Sequence, residues 1–168
     1  MINVGILTVS DKGSRGERHD QSGQVISELI KGIGANVKCY EIVPDEIDVI
    51  KMKLMDWINT GLDLVLTTGG TGLSPRDVTP EATMSVIDKL APGIAEAIRA
   101  ESMKNTPYAM LSRGVAGVSL NTLIVNLPGS PKAVKECLSV IIPVLPHAVE
   151  TLRGTASECA TRDIHSEE

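Results

Sequence analysis

An α/β domain built on parallel strands is the fold class that the sequence predicts, and three features predict it. Apolar runs of strand length alternate with amphipathic stretches of helix length along the chain. The run Leu64-Val65-Leu66 is apolar without alternation, the mark of a strand covered on both faces, and it passes through a glycine-rich turn into a helix start. No internal repeat or low-complexity linker divides the chain, and 168 residues suffice for one well-buried domain but not for two of ordinary size. One domain over residues 1–154 is therefore expected, followed by a polar tail over 155–168.

The first strand is placed at about Val4 to Val9. A polar loop from Ser10 to Asp20 follows, then a helix that buries Val25, Ile26, Leu29, Ile30 and Ile33 and is ended by Gly32 and Gly34. A second strand, about Asn36 to Val43, leads through Pro44 into a helix whose Ile47, Ile50, Leu54, Trp57 and Ile58 recur at the helical spacing. Gly61 separates that helix from the third strand at Leu64. Beyond the glycine turn, Thr79 reads as an N-cap, with Pro80 at the first helical position and Glu81 at the positive end of the helix dipole. Helices are expected around Glu81 to Leu90 and Ile94 to Ser102, divided by Ala91-Pro92-Gly93. Arg113 to Asn126 has the pattern of a β-hairpin or a pair of short strands, with Val115, Val118, Leu120, Leu123 and Val125 set among Gly114, Gly117 and Asn121. Ser130 as cap and Pro131 in the first turn open a last helix, disturbed near Pro143 and Pro146.

Composition narrows the function. A net charge of -5 and the lack of a long basic run argue against a nucleic-acid surface. With no Phe, and Trp57, Tyr40 and Tyr108 as the aromatics, little is available for stacking bases. Cys39, Cys137 and Cys159 form neither a CxxC motif nor an evident disulfide framework, which fits a reducing cytoplasm. The apolar start Ile2 to Val9 is interrupted by Asn3, Gly5 and Thr8 and lacks a positive flank, and no run is long enough to span a bilayer. Neither a signal peptide nor a membrane partner is expected.

Loops that follow parallel strands open on one edge of the sheet, where ligands collect. Four such loops carry chemistry: Ser10 to Gly16, Pro44-Asp45-Glu46, the glycine loop through Arg76 and Asp77, and Asn126 to Lys132. Gly69, Gly70 and Gly72 permit positive φ and close approach, so their amides suit phosphate oxygens. Asp45 and Asp77 can share a Mg²⁺ that also bridges phosphates, because that ion takes few carboxylates together with substrate oxygens. No Ser-His-Asp or Cys-His pairing stands out, and His19, His147 and His165 fall in loop, helix end and tail. A substrate phosphate that attacks as an anion needs alignment and charge neutralisation rather than a strong base.

Plainer readings stand beside these. Asp45, three residues before Asp48, can cap the next helix, and Asp77 can be a solvated loop residue. The glycines can form a turn without a ligand: no Gly-Lys-Ser/Thr follows, and Pro75 stands where a GxGxxG motif has its third glycine. Arg113 can form a surface ion pair, and Lys132 can be merely solvated.

Thr67-Thr68-Gly69-Gly70-Thr71-Gly72 followed by Arg76-Asp77-Val78-Thr79-Pro80-Glu81-Ala82 resembles the signature of the molybdenum-cofactor MogA/MoaB family. Val9-Ser10-Asp11 with Asp20 and Gly23, Pro44-Asp45-Glu46, Leu111-Ser112-Arg113 and Asn126-Leu127-Pro128-Gly129-Ser130-Pro131-Lys132 resemble further family blocks in their expected order, over about Val4 to Gly154. The resemblance implies a three-layer α/β/α sandwich with a mostly parallel sheet, assembled as a homotrimer. It implies a molybdopterin adenylyltransferase that places AMP from Mg-ATP on the terminal phosphate of molybdopterin, releases pyrophosphate and passes its product to a molybdenum-insertion enzyme. Catalytic and Mg²⁺ roles fall to Asp45 and Asp77, and nucleotide or phosphate binding to Gly69, Gly70, Thr71 and Gly72. Substrate binding falls to Ser10, Asp11, Ser112, Arg113, Asn126, Gly129 and Ser130. A MoaB-like paralogue, often hexameric, and a non-catalytic molybdopterin carrier are the alternatives. The Asp11 to Asp20 loop and the Thr106 to Leu111 segment resemble the adenylyltransferase branch.

Overall fold

The structure, a computed structural model, describes residues 1–155, so the expected tail beyond Thr155 lies outside the described residues. Its strands are β1 (Ile2–Val9), β2 (Ala35–Val43), β3 (Leu64–Thr68), β4 (Lys89–Leu90), β5 (Ala116–Ser119) and β6 (Thr122–Leu127). They form a single six-stranded sheet in the order β2-β1-β3-β6-β5-β4. The run β2, β1, β3 and β6 is parallel, while β5 lies antiparallel to β6 and β4 to β5.

Helices cover both faces, which is why β3 and β6 are buried along their whole length. Alternate side chains of one strand enter opposite cores. Leu64, Leu66, Leu123 and Val125 join the core beneath α2 (Gln21–Leu29), α6 (Pro131–Ile141) and α7 (Leu145–Leu152), with α5 (Pro92–Met103) contributing Ile98. Val65 and Ile124 face the other way, against Ile50, Leu54 and Trp57 of α3 (Ile47–Asn59) and Ala82 of α4 (Thr79–Met84). The result is the expected three-layer sandwich with a mostly parallel sheet.

Two local expectations change. A one-turn helix, α1 (Asp11–Ser14), stands inside the first polar loop. The helix expected to run to Leu90 stops at Met84, and Lys89–Leu90 becomes an edge strand. Pairing with the hairpin overrides the helical pattern: Asp88 N–H donates to the Val118 carbonyl (2.8 Å) and Ala91 N–H to that of Ala116 (2.9 Å). Gly117 lets this strand come close, since a Cβ there would lie 2.6 Å from Ile87 Cδ1 and 2.8 Å from the Lys89 carbonyl oxygen.

At the hairpin tip, Leu120 adopts φ +50 with its side chain exposed, and its N–H donates to Asp88 Oδ2 (2.9 Å). A branched side chain in the left-handed region costs about 1 kcal/mol. Leu120→Asn is therefore expected to raise stability by about 1 kcal/mol, because Asn tolerates this conformation and keeps the N–H. The urea midpoint reads the change, and a lower midpoint would contradict the strain assigned to Leu120.

The two ends of the described chain are tied by one ion pair. Arg153 forks onto Asp63 (2.8 and 2.6 Å) and gives a further bond to the Met1 carbonyl (3.0 Å), while Asn3 N–H also donates to Asp63 (2.7 Å). Burial pushes the Asp63 carboxyl up, but the Arg153 and Asn3 hydrogen bonds outweigh it and hold it below the usual carboxylate range. A carboxylate depressed on folding contributes stability above its unfolded value of about 3.9, and that contribution is lost as pH falls through the folded value. Arg153→Ala is expected to cost about 2 kcal/mol at pH 7 and much less at pH 2, read by urea unfolding at both. Equal losses at both pH values would show that the pair contributes through packing alone.

Candidate active site at the carboxyl edge of the sheet

The loops following β1, β2, β3 and β6 meet at the carboxyl edge, as their parallel direction requires. At the centre is the glycine loop, with Gly69 at φ +94 and Gly70 at φ +65. A Cβ on Gly69 would run directly into the Val9 carbonyl oxygen, so this residue presses the loop onto β1. Its own N–H donates to the Leu127 carbonyl (3.2 Å) and anchors the turn to β6 instead of facing a ligand. Among the described residues, no acceptor takes the N–H groups of Gly70, Thr71 or Gly72, which leaves three successive amides for a bound anion.

Thr79 departs from its expected role. It is buried as the first residue of α4, Val78 stands at the cap position, and no side chain caps this helix. The Thr79 hydroxyl instead donates to the Gly69 carbonyl (2.9 Å), and its N–H donates to that of Gly70 (3.1 Å). Two loop carbonyls thereby gain donors, which spends the Thr79 hydroxyl on the glycine loop and not on the helix end.

The carboxylates flank this loop. Asp45 does not cap α3, whose cap position is Glu46 without a side-chain bond. It pairs with Asp11 by reciprocal bonds: Asp11 N–H donates to Asp45 Oδ2 (2.8 Å), and Asp45 N–H to Asp11 Oδ1 (3.0 Å). Arg76 forks onto Asp11 (3.0 and 2.8 Å), and that fork, aided by the Asp45 amide, holds the Asp11 carboxyl below its usual range. Burial pushes the Asp45 carboxyl up, and the charges of Asp11 and Asp77 push it further, against the Asp11 amide and Arg76. Asp77 accepts from Ser74 N–H (3.0 Å). A Cβ on Gly70 would lie 3.2 Å from Asp45 Oδ1, and one on Gly72 would lie 2.8 Å from Asp77 Oδ2, so each carboxylate abuts a different glycine. A site in which burial first, and then two further carboxylates, disfavour the charge of Asp45 favours an arriving cation. No group of three or more His, Cys, Asp or Glu among the described residues is arranged to hold a metal.

Five of the seven residues expected to bind substrate together are divided between two hollows, and Asp11 and Arg113, like Asp77, line neither. A cleft of about 670 Å³ takes Ser10, Asp45, Gly69, Gly70, Gly129 and Ser130, together with Arg18, His19 and the Asp20–Ser22 start of α2. A slot of about 300 Å³ takes Thr71, Gly72, Ser112 and Asn126, walled by α5 and α6. The glycine loop borders both. Ser10 and Ser130 also cap α1 and α6, accepting from Gly13 N–H (3.0 Å) and Ala133 N–H (3.2 Å).

Arg113 lines neither hollow. Its guanidinium donates to the carbonyls of Gly72 (2.7 Å) and Asp77 (2.7 Å) and pairs with Glu81, so it clamps the glycine loop. The Asn126 side chain is likewise committed inside the protein: Nδ2 donates to Thr67 and Thr83 (both 2.9 Å), and Oδ1 accepts from Val115 N–H (3.2 Å). Asp20 caps α2 by accepting from Gly23 N–H (2.9 Å) and also takes the hydroxyls of Thr8 and Tyr40. The Asp20-to-Gly23 spacing is a readable cap signal. The Arg76–Asp11 fork joins residues 65 apart and leaves no local signal.

The sequence profile of a family described as a probable molybdopterin binding domain matches residues 5–147, a span that contains all these loops. The chain belongs to this family. A molybdopterin adenylyltransferase of Helicobacter pylori strain J99 is 41% identical, over 98% of this chain and 96% of its own length. The molybdenum cofactor synthesis protein cinnamon of Drosophila melanogaster is 47% identical over 99% of this chain, which spans only 28% of that protein. The crystal structure of the molybdopterin biosynthesis enzyme MoaB from Thermus thermophilus superposes with a TM-score of 0.87 at 55% identity, covering 92% of this chain and 98% of that one. Among the described residues, no helix is long and apolar enough to cross a membrane.

Proposed function

We propose that the protein is a molybdopterin adenylyltransferase that moves AMP from Mg-ATP to the terminal phosphate of molybdopterin and releases pyrophosphate. The observation that carries this reading is the pair of hollows meeting at one glycine loop, with Asp45 and Asp77 beside it. The larger cleft suits ATP: it receives the N-terminal ends of α2 and α6 and the cation of Arg18. The slot, walled by Ala95, Ile98, Leu111 and Pro128, suits a flat ring whose phosphate reaches Thr71 and Gly72.

In this mechanism a molybdopterin phosphate oxygen attacks the α-phosphorus of ATP, the new P–O bond forms as the bond to the β-phosphate oxygen breaks, and pyrophosphate departs. The open amides of Gly70, Thr71 and Gly72 neutralise charge that develops on the transferring group, and Arg113 keeps the loop in place. Asp45 and Asp77 would hold the Mg²⁺ delivered with ATP, which supplies charge neutralisation at the phosphates. The attacking phosphate is already anionic, so no histidine base is required. The reading extends to a homotrimer in the cytoplasm that hands its product to a molybdenum-insertion enzyme.

The 55% identity to a MoaB structure favours a second reading, a MoaB-like paralogue or carrier that binds pterin without consuming ATP. Pyrophosphate release separates the two. Release that requires both Mg-ATP and molybdopterin, with an adenylylated pterin found by mass, supports the transferase. Pterin binding without pyrophosphate supports the paralogue or carrier. Sedimentation gives the oligomer, with three copies expected.

A further inference from the structure

One carboxylate in the slot is unused by this mechanism. Glu136 lies on α6, half-buried, and lines the slot beside Ala133 and Cys137. Among the described residues its side chain makes no hydrogen bond or ion pair. The cation nearest in role, Arg99, is committed to the carbonyls of Gly114 (2.8 Å) and Ser112 (3.5 Å). The charge of Glu136 reaches the slot interior: burial pushes the Cys137 thiol up, and Glu136 adds to that against the Ser102 hydrogen bond. A half-buried carboxylate without donors, beside carbon walls, gains most from a ligand that brings N–H groups.

The position of Glu136 along α6 says which part of a ligand it meets. Gly129, just before α6, packs against the Gly69 backbone, where a Cβ would lie 3.4 Å from Gly69 Cα. Glu136 then lies six positions along the chain from Ser130, a rise of about 9 Å along α6. Thr71, Gly72 and Glu136 line the same slot, so a ligand with its phosphate on the Thr71 and Gly72 amides shares that slot with the Glu136 carboxylate. Glu136 also borders a groove between α5 and α6 with Glu101 and Lys135, so it stands at the rim of the slot.

We infer that Glu136 reads the amino-pyrimidinone edge of the pterin, accepting hydrogen bonds from the ring N3–H and the exocyclic 2-amino group. Two parallel N–H donors matched to two carboxylate oxygens give the strongest and most selective geometry available to a carboxylate. A ring that carries a carbonyl oxygen in place of the 2-amino group sets acceptor against acceptor and is rejected. This assignment rests on the reading that the slot takes the pterin.

The test uses two pteridines, pterin and lumazine, which differ in this respect: lumazine has a carbonyl at position 2. Each is titrated into the full chain and followed by quenching of its own fluorescence, with Glu136→Ala and Glu136→Gln compared. The native protein is expected to prefer pterin by about tenfold or more. Glu136→Ala should abolish the preference. Glu136→Gln, which keeps the side chain's size, should reduce or reverse it, because its amide N–H donates to the lumazine carbonyl. In turnover, both variants should raise KM for molybdopterin about tenfold without changing KM for ATP. A native protein that binds both rings equally, or variants that keep the preference, would overturn the role of Glu136 while leaving pterin in the slot. Binding of neither ring would overturn the slot assignment and this inference together.

Discussion

Asp77→Asn is expected to leave the protein folded while lowering pyrophosphate release by about 10²- to 10³-fold, equivalent to about 3 kcal/mol of transition-state stabilisation. Asp77 accepts one backbone bond, from Ser74 N–H, and the amide oxygen of Asn can still accept it. The loop shape is therefore kept and the charge is removed. On the proposed mechanism, what is lost is the attraction between the flanking carboxylates and the cation that accompanies ATP. Turnover across a Mg²⁺ titration checks this, with thermal unfolding as the control for folding. Near-native turnover by a folded variant at low Mg²⁺ would remove Asp77 from the reaction. Asp45→Asn is a less clean probe, because Asp45 also accepts the Asp11 amide and neighbours the Arg76 fork.

Gly69→Ala should produce the largest loss of stability. At φ +94 a side chain pays about 1–2 kcal/mol in backbone strain. Its Cβ would also meet the carbonyl oxygen of Val9, a backbone atom held in the sheet, at an overpacking cost of about 1–3 kcal/mol. Together these amount to about 3 kcal/mol, a fall in Tm of about 10 °C for a chain of this size. Gly16→Ala is the matched control, since Gly16 has φ +73 with nothing within 4 Å of the added Cβ. Comparing the two melting temperatures isolates the contact with β1. Equal losses would mean that the glycine loop is not pinned there.

The sequence by itself determined the layers and the edge. Leu64-Val65-Leu66 is apolar on both sides because each side meets a different core, and that is visible without a structure. Once the strands were read as parallel, Ser10, Asp45, the glycine loop and Ser130 had to open on one edge, because a parallel strand can deliver its following loop nowhere else. The hairpin over residues 116–127 was legible from its period and turn residues. Only the tertiary structure decided what each polar group does there. Thr79 has the position of a cap but serves the Gly69 and Gly70 carbonyls, because the tertiary fold brings those acceptors against it. Lys89 and Leu90 fit a helical pattern until the hairpin offers them a strand partner. Arg113 and Asn126 carry the residue types of ligand-binding groups yet spend their hydrogen bonds inside the protein. The division of the site into a cleft and a slot depends on where α5 and α6 stand relative to the glycine loop. Periodicity records which face of an element is buried, whereas hydrogen-bond partners and cavities depend on distances between segments far apart in the chain.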